Sequence, residues 1–148
     1  MKRQRESVEV FREVMAYQPS DQSRLRLANC LGGFAFNLVL NRQFAEAQTQ
    51  CEEAQRLAND IGDGIQKTDR DNLIFIRRNL AHALLFQGYH DEALAIYREN
   101  WEKPLRGKTF GEITLEDFAA FDKAGLNHPD LYRMKQALGD LGSNAPSQ

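Results

Sequence analysis

The chain has 148 residues, a formal net charge of −2, and a composition that is 42% hydrophobic and 27% charged, which suits one ordinary domain with a real core. The near balance of charge excludes a general attraction to polyanions, and no apolar run approaches the roughly 18 residues that span a bilayer. Two cysteines, Cys30 and Cys51, are too few for a disulfide framework or a four-ligand zinc site and read as small buried apolar residues.

Helical periodicity runs through the chain, and strand-like alternation is nearly absent. The first helix is predicted over 5–17, with Val8, Phe11, Val14 and Met15 on one face. Pro19 stops it, and Ser20 caps the next. The second helix covers 21–40, with Leu27, Leu31, Phe34 and Leu38 as its apolar stripe and Ala28 and Ala35 as small members. Gly32-Gly33 in its middle weakens a helix by about 1 kcal/mol each relative to alanine. Such a pair implies close approach, by a packed helix or by a ligand. A turn at 41–43 leads to a third helix over 44–59, and residues 60–64 form the clearest loop. A long fourth helix is predicted over 69–87, with Leu73, Ile76, Leu80, Ala81, Ala83 and Leu84 inward. Gly88 ends it in a left-handed conformation. The fifth helix, 90–101, carries Ala93, Ile96 and Tyr97. Residues 104–111 read as a connector. Thr114 is the expected cap of a short helix through Phe118, Ala119 and Phe121, ending at Gly125. His128 serves the start of the last helix, where Pro129 sits in the first turn and loses no hydrogen bond. Leu131, Met134 and Leu138 form the apolar face of that helix, and residues beyond Leu141 are expected to fray.

Two stretches share one local pattern, in which a turn leads into an alanine with a medium or aromatic residue four places on. Ala47 and Ala93 mark them, 46 residues apart, and self-similarity of that order indicates stacked helical repeats. The residues carry a resemblance to tetratricopeptide repeat proteins. Ala35, Ala47 and Ala54 hold the small positions of one hairpin, with Leu31, Phe34, Leu38 and Phe44 as larger knobs. In the next, Ala81 and Ala93 are the small positions, and Leu80, Leu84, Gly88 and Tyr97 complete the pattern. Ser7, Phe11, Val14 and Pro19 fit the second half of a preceding repeat. The match covers about 6–101. It departs from the family in its long spacings, in Arg77 and Asn100 where apolar or small residues are common, and in Asn59 at a consensus proline. The segment from Phe110 to Pro129 is similar to one that closes repeat arrays in bacterial proteins.

The resemblance implies an all-α fold, a right-handed α-α superhelix of helical hairpins with a C-terminal helical cap. The array is expected over 1–104, the cap over 105–142 and a flexible tail over 143–148. It also implies a concave groove lined by Asn29, Gly33, Phe36 and Leu40 beside Phe75, Arg78, Asn79, His82 and Phe86. Phenylalanine anchors with a guanidinium and amides suit a peptide or helix, with Arg78 and Asn79 able to hold a carboxylate or a backbone carbonyl. Some family members clamp chaperone C-termini with Lys, Asn and Arg. No lysine stands at a groove position here, and that clamp is not assigned. The expected function is a non-catalytic scaffold or adaptor in the cytoplasm, with a protein or peptide partner and no cofactor. The alternative is an assembly module whose groove or N-terminal edge is occupied by its own chain or a second copy. A regulatory domain working beside an enzyme encoded elsewhere is a third reading. The first helix, with Val10 and Val14 on its outer face, is where a homo-oligomer is expected.

Other chemistry finds little support in the sequence. His82 and His90 lack the spacing of a helical metal pair. Cys30 lies among apolar neighbours that leave a thiol inert. Glu52-Glu53 and Glu116-Asp117 are adjacent, point to different helical faces, and read as solvated surface. Gly62-Asp63-Gly64 lacks the Lys-Ser/Thr of a phosphate loop, and Arg70 stands where a calcium loop requires its closing glutamate. Arg24, Arg26, Arg77 and Arg78 make only a small basic stripe, so no nucleic-acid partner is expected. No signal peptide or membrane partner is expected.

Overall fold

A computed structural model describes residues 1–126 and 128–143, and the chain is overwhelmingly helical. The helices are α1 (Lys2–Tyr17), α2 (Asp21–Leu40), α3 (Phe44–Asn59), α4 (Lys67–Asn72), α5 (Ile74–Leu85), α6 (His90–Asn100), α7 (Phe110–Lys123) and α8 (Pro129–Ser143). Two short strands, β1 (Pro104–Leu105) and β2 (Lys108–Thr109), pair antiparallel between α6 and α7. No helix among the described residues is long and apolar enough to cross a membrane.

α2 packs on α3, α3 on α5, α5 on α6, and α1 on α2. The small residues read as repeat markers, Ala35, Ala47, Ala54, Ala81 and Ala93, are all fully buried. One apolar cluster runs from Val8 through Leu27, Leu31, Ile76 and Tyr97 to Phe121 and Leu138. Arg5 reaches across to Glu46 at 2.7 Å and Arg12 pairs with Glu53, so α1 is tied by charge to α3 as well as by packing to α2.

Local signals explain the helix ends. Ser20 caps α2, accepting from the Ser23 N–H at 3.0 Å, while the Ser20 N–H donates to Ser23 Oγ at 2.9 Å. Gly88 closes the turn after α5 with φ +89°. Around it the Tyr89 N–H returns to Leu84 O and the Gly88 N–H to Leu85 O, the Schellman pattern that satisfies terminal carbonyls. Arg42 closes α2 in the same way at φ +63°, without being a glycine. Its guanidinium donates to Gly125 O at 3.1 Å, which holds it in place.

Four expectations need correction. The fourth predicted helix is two helices. At Leu73 the backbone bonds close over three residues, from Leu73 N to Arg70 O (3.1 Å) and from Ile76 N to Leu73 O (3.0 Å). Tightened bonds of this kind break the α-helical ladder. The connector contains the β1–β2 hairpin, whose Arg106-Gly107 turn has φ of 55° and 81°, as a two-residue type I′ turn demands. Thr109, not Thr114, caps α7. Its side chain accepts from the Glu112 N–H (3.1 Å), and Glu112 accepts from the Thr109 N–H (3.3 Å), which is a full capping box. Thr114 lies buried one turn inside, bonded to Phe110 O at 2.8 Å. Helix α8 continues through Ser143, so only 144–148 of the expected tail remain, and these lie outside the described residues.

Candidate functional site

The expected groove residues divide into an occupied half and an open half. On α5 His82 is fully buried and Asn79 nearly so, as is Phe86 just past the end of the helix. The cover is α7. The Phe121 ring meets Phe36 (5.9 Å), His82 (4.8 Å, edge-on) and Phe86 (5.2 Å, edge-on), and Phe118 sits 5.8 Å from His82. Phe86 also stacks on Phe44 at 5.0 Å, and Leu40 is half-buried against the same core. These three side chains, Phe36, His82 and Phe86, are thus packed against the chain's own α7.

Asn79 has a structural task. Its Nδ2 donates to Gly32 O at 2.9 Å, a bond possible because α2 and α5 come very close at Gly32. A Cβ on Gly32 would stand 2.4 Å from Phe75 Cε2. Gly33, its neighbour, has nothing within 4 Å of that position. The glycine pair therefore serves two purposes: Gly32 admits α5, and Gly33 opens onto a cleft.

That cleft, about 420 Å³, is bounded by Asn29, Gly33, Phe75, Arg78, Leu105, Arg106 and Ile113. Helices α2 and α5 supply the first four, the β1–β2 hairpin the next two, and α7 the last. Arg106 enters only because the type I′ turn carries it there, which no helical periodicity could reveal.

Below the cleft lies a polar cluster that the sequence did not disclose. Arg78 Nε donates to Asp117 Oδ2 at 2.7 Å, and His82 Nε2 lies 2.9 Å from the same oxygen. With Asp117 ionised, Nε2 carries the proton and donates. His82 Nδ1 then accepts from the Tyr97 hydroxyl at 2.6 Å. Burial pushes the His82 pKa down, against the pull of Asp117, so the imidazole is neutral. Burial also pushes the Tyr97 phenol well up. For Asp117, burial alone would raise the carboxyl, but the hydrogen bonds from His82 and Arg78 and the positive charge of Arg78 outweigh that and hold it below the usual range. Asp117 is thus a buried carboxylate and not the solvated one expected beside Glu116. Its signal was present: it falls on the face of α7 that carries Phe110, Thr114, Phe118 and Phe121.

The cluster ties α7 to α5 and α6, and it orients Arg78 at the cleft. Its members are engaged chiefly with one another. Among the described residues no group of three or more His, Cys, Asp or Glu side chains is placed to hold a metal ion. Cys51 is buried, with its thiol pushed up to about 12 by desolvation. Cys30, half-buried where full burial was expected, is also raised by desolvation. His128 Nδ1 accepts from the Asp130 N–H at 3.1 Å, at the start of α8. No protein-family model matches the chain, and neither a curated protein nor a solved structure matches it.

Proposed function

We propose that the chain is a non-catalytic interaction module built on tetratricopeptide-like hairpins, and that it holds a peptide or helix end in the open half of its groove. The observation that carries this is the cleft at Gly33, with apolar walls from Phe75, Leu105 and Ile113, and with Arg78, Arg106 and Asn29 at its edge. Apolar walls with few convergent polar groups are the usual make-up of a binding site. Arg78 is oriented by Asp117 before any ligand arrives, so little side-chain entropy is lost on binding. Two guanidiniums favour an acidic group on the partner.

The test is a peptide array with free C-terminal and internal carboxylates, probed with wild type and with Gly33→Leu plus Arg106→Glu. Leucine at 33 fills the cleft without meeting the core, since Gly33 faces open space. Selection by wild type and its loss in the variant is the expected result. Equal selection by both proteins removes the cleft from the reading.

A second reading rests on α1. Val10, Val14 and Tyr17 are 55%, 41% and 87% exposed and follow helical spacing along one stripe. This stripe suits a second copy of the chain. A concentration-dependent mass that Val10→Glu plus Val14→Glu returns to monomer is expected on this reading, and a monomer at all concentrations sinks it.

A further inference from the structure

Two clefts flank the first turns of α5, and the Arg77-Arg78 pair divides between them. Arg78 lines the cleft at Gly33, whereas Arg77 lines a larger one of about 520 Å³. The larger cleft lies among the end of α3, α4, the start of α5 and the entry to the hairpin. It shares no residue with the first.

Its surface has two characters. Ala58, Leu73, Ile74 and Pro104 supply apolar area. Lys67, Arg70, Arg77 and Lys103 line the cleft with the carboxylate of Asp71, and Asp63 and Glu99 stand beside Arg70 and Arg77, so the four cations meet three carboxylates. This is a local excess of positive charge in a chain whose net charge is −2. Two of the cations are engaged: Arg70 donates to Ile61 O and Gly62 O, and Arg77 Nη2 to Glu99 at 3.1 Å. The other two, Lys67 and Lys103, have no carboxylate partner among the described residues, whereas Lys108 and Lys135 do. Two polar atoms on the cleft's own residues, Arg77 Nε and Gln55 Oε1, are buried without a hydrogen-bond partner. Such atoms are uncommon in folded proteins. They are a donor on α5 and an acceptor on α3.

We propose that this cleft binds a phosphate monoester carried on a flat apolar body. Lys67 and Lys103 meet the dianion as unpaired ammonium groups. Arg77 adds a guanidinium already held in place by Glu99. The apolar body lies on Leu73, Ile74 and Pro104. The volume falls within the range of small-molecule sites, and a mixed surface of this kind rejects both a bare anion and a bare hydrocarbon. The site is independent of the peptide cleft and stands or falls without it.

Titration calorimetry on the full chain, at low salt, tests the assignment with phenyl phosphate, adenosine 5′-monophosphate and inorganic phosphate as probes. Saturable binding of the two esters is expected, with inorganic phosphate about tenfold weaker or more because it leaves the apolar surface unused. Lys67→Glu plus Lys103→Glu should weaken the esters by about tenfold or more, and added salt should weaken them in the wild type. Arg106→Glu, in the other cleft, should leave them unchanged. Both lysines are exposed, and an unchanged circular dichroism spectrum and unfolding midpoint show that the double variant is folded. Absence of saturable ester binding at millimolar concentration overturns the proposal. So does binding that the lysine reversals leave intact, or binding confined to a single-stranded oligonucleotide.

Discussion

Gly32 and Gly33 are chemically the same perturbation applied one residue apart. Replacing either by alanine relieves the same backbone entropy in the unfolded chain and gains about 0.5–1 kcal/mol of helix stability. At Gly33 nothing opposes this gain, because no heavy atom outside the local helix lies within 4 Å of the new Cβ. Gly33→Ala should therefore stabilise by about 0.5–1 kcal/mol, a rise of about 2–4 °C or less in Tm for a chain of this size. At Gly32 the new Cβ stands 2.4 and 2.8 Å from the Phe75 ring and 3.3 Å from Ile76 Cγ1. The tip of the Phe75 ring, which lines the cleft, has to shift, and Ile76 is buried. Separating the helices instead lengthens the 2.9 Å bond from Asn79 to Gly32 O. Overpacking of this kind costs about 1–3 kcal/mol. The propensity gain is common to both variants and cancels in their difference, so Gly32→Ala should fall below Gly33→Ala by about 1–3 kcal/mol. Parallel urea unfolding followed by circular dichroism measures that difference. Equal midpoints, or the reverse order, would refute the close approach of α2 and α5 at Gly32.

Asp117→Asn removes the charge that two buried groups face; it should cost about 3 kcal/mol in urea unfolding, since Arg78 and Asp117 are each only 12% exposed. The pH dependence has a definite sign: because the folded His82 pKa lies below its unfolded value, its contribution is fully present above the unfolded pKa near 6.5 and is lost as pH falls through it. A fall in unfolding free energy from pH 7 to pH 5 is expected, with a shallower slope in His82→Gln; an identical slope in the variant shows that His82 does not titrate as placed. Asp117 adds a loss of the same sign at more acidic pH, since its folded carboxyl is also held low. Gly111→Ala should move the only tryptophan, because its Cβ would stand 2.5 Å from Trp101 Cε2, and an unchanged Trp emission spectrum argues against that contact. Cys51 should resist thiol reagents at pH 8 until the chain unfolds, its thiol being pushed up to about 12, while rapid labelling in the native state contradicts its burial.

What the sequence disclosed and what it concealed follow from one physical distinction. Periodicity reports which face of a helix is apolar, so α2, α3, α6 and their buried alanines were legible. It does not report what lies on the other side of that face. Phe36, His82 and Phe86 were read as groove residues because nothing local says that α7 returns to cover them. Asp117 was read as surface because it was paired with Glu116 by adjacency, when its face of α7 was the better guide. A carboxylate placed among Phe110, Thr114, Phe118 and Phe121 requires a partner, and Arg78 and His82 on α5 supply it. Arg106 and Leu105 reach the cleft through a turn of two residues with positive φ, a conformation marked in the sequence by Gly107 alone.

These concealed elements have a common consequence for the open half of the groove. The hairpin and α7 form one wall of the cleft, and α2 and α5 form the other. The Asp117 cluster joins the two walls, since it fixes α7 to α5 through Arg78 and His82, while the Tyr97 hydroxyl on His82 ties α5 to α6. On the proposed reading, loss of that cluster should therefore act on binding even though Asp117 does not line the cleft. Its removal frees Arg78, which is at once a wall residue and a partner in the joint. If Asp117→Asn left peptide selection intact while lowering stability, Arg78 would be only a structural ion pair. A loss of selection larger than that caused by an equally destabilising change elsewhere in the core, such as Leu138→Ala on α8, would place its oriented guanidinium in recognition.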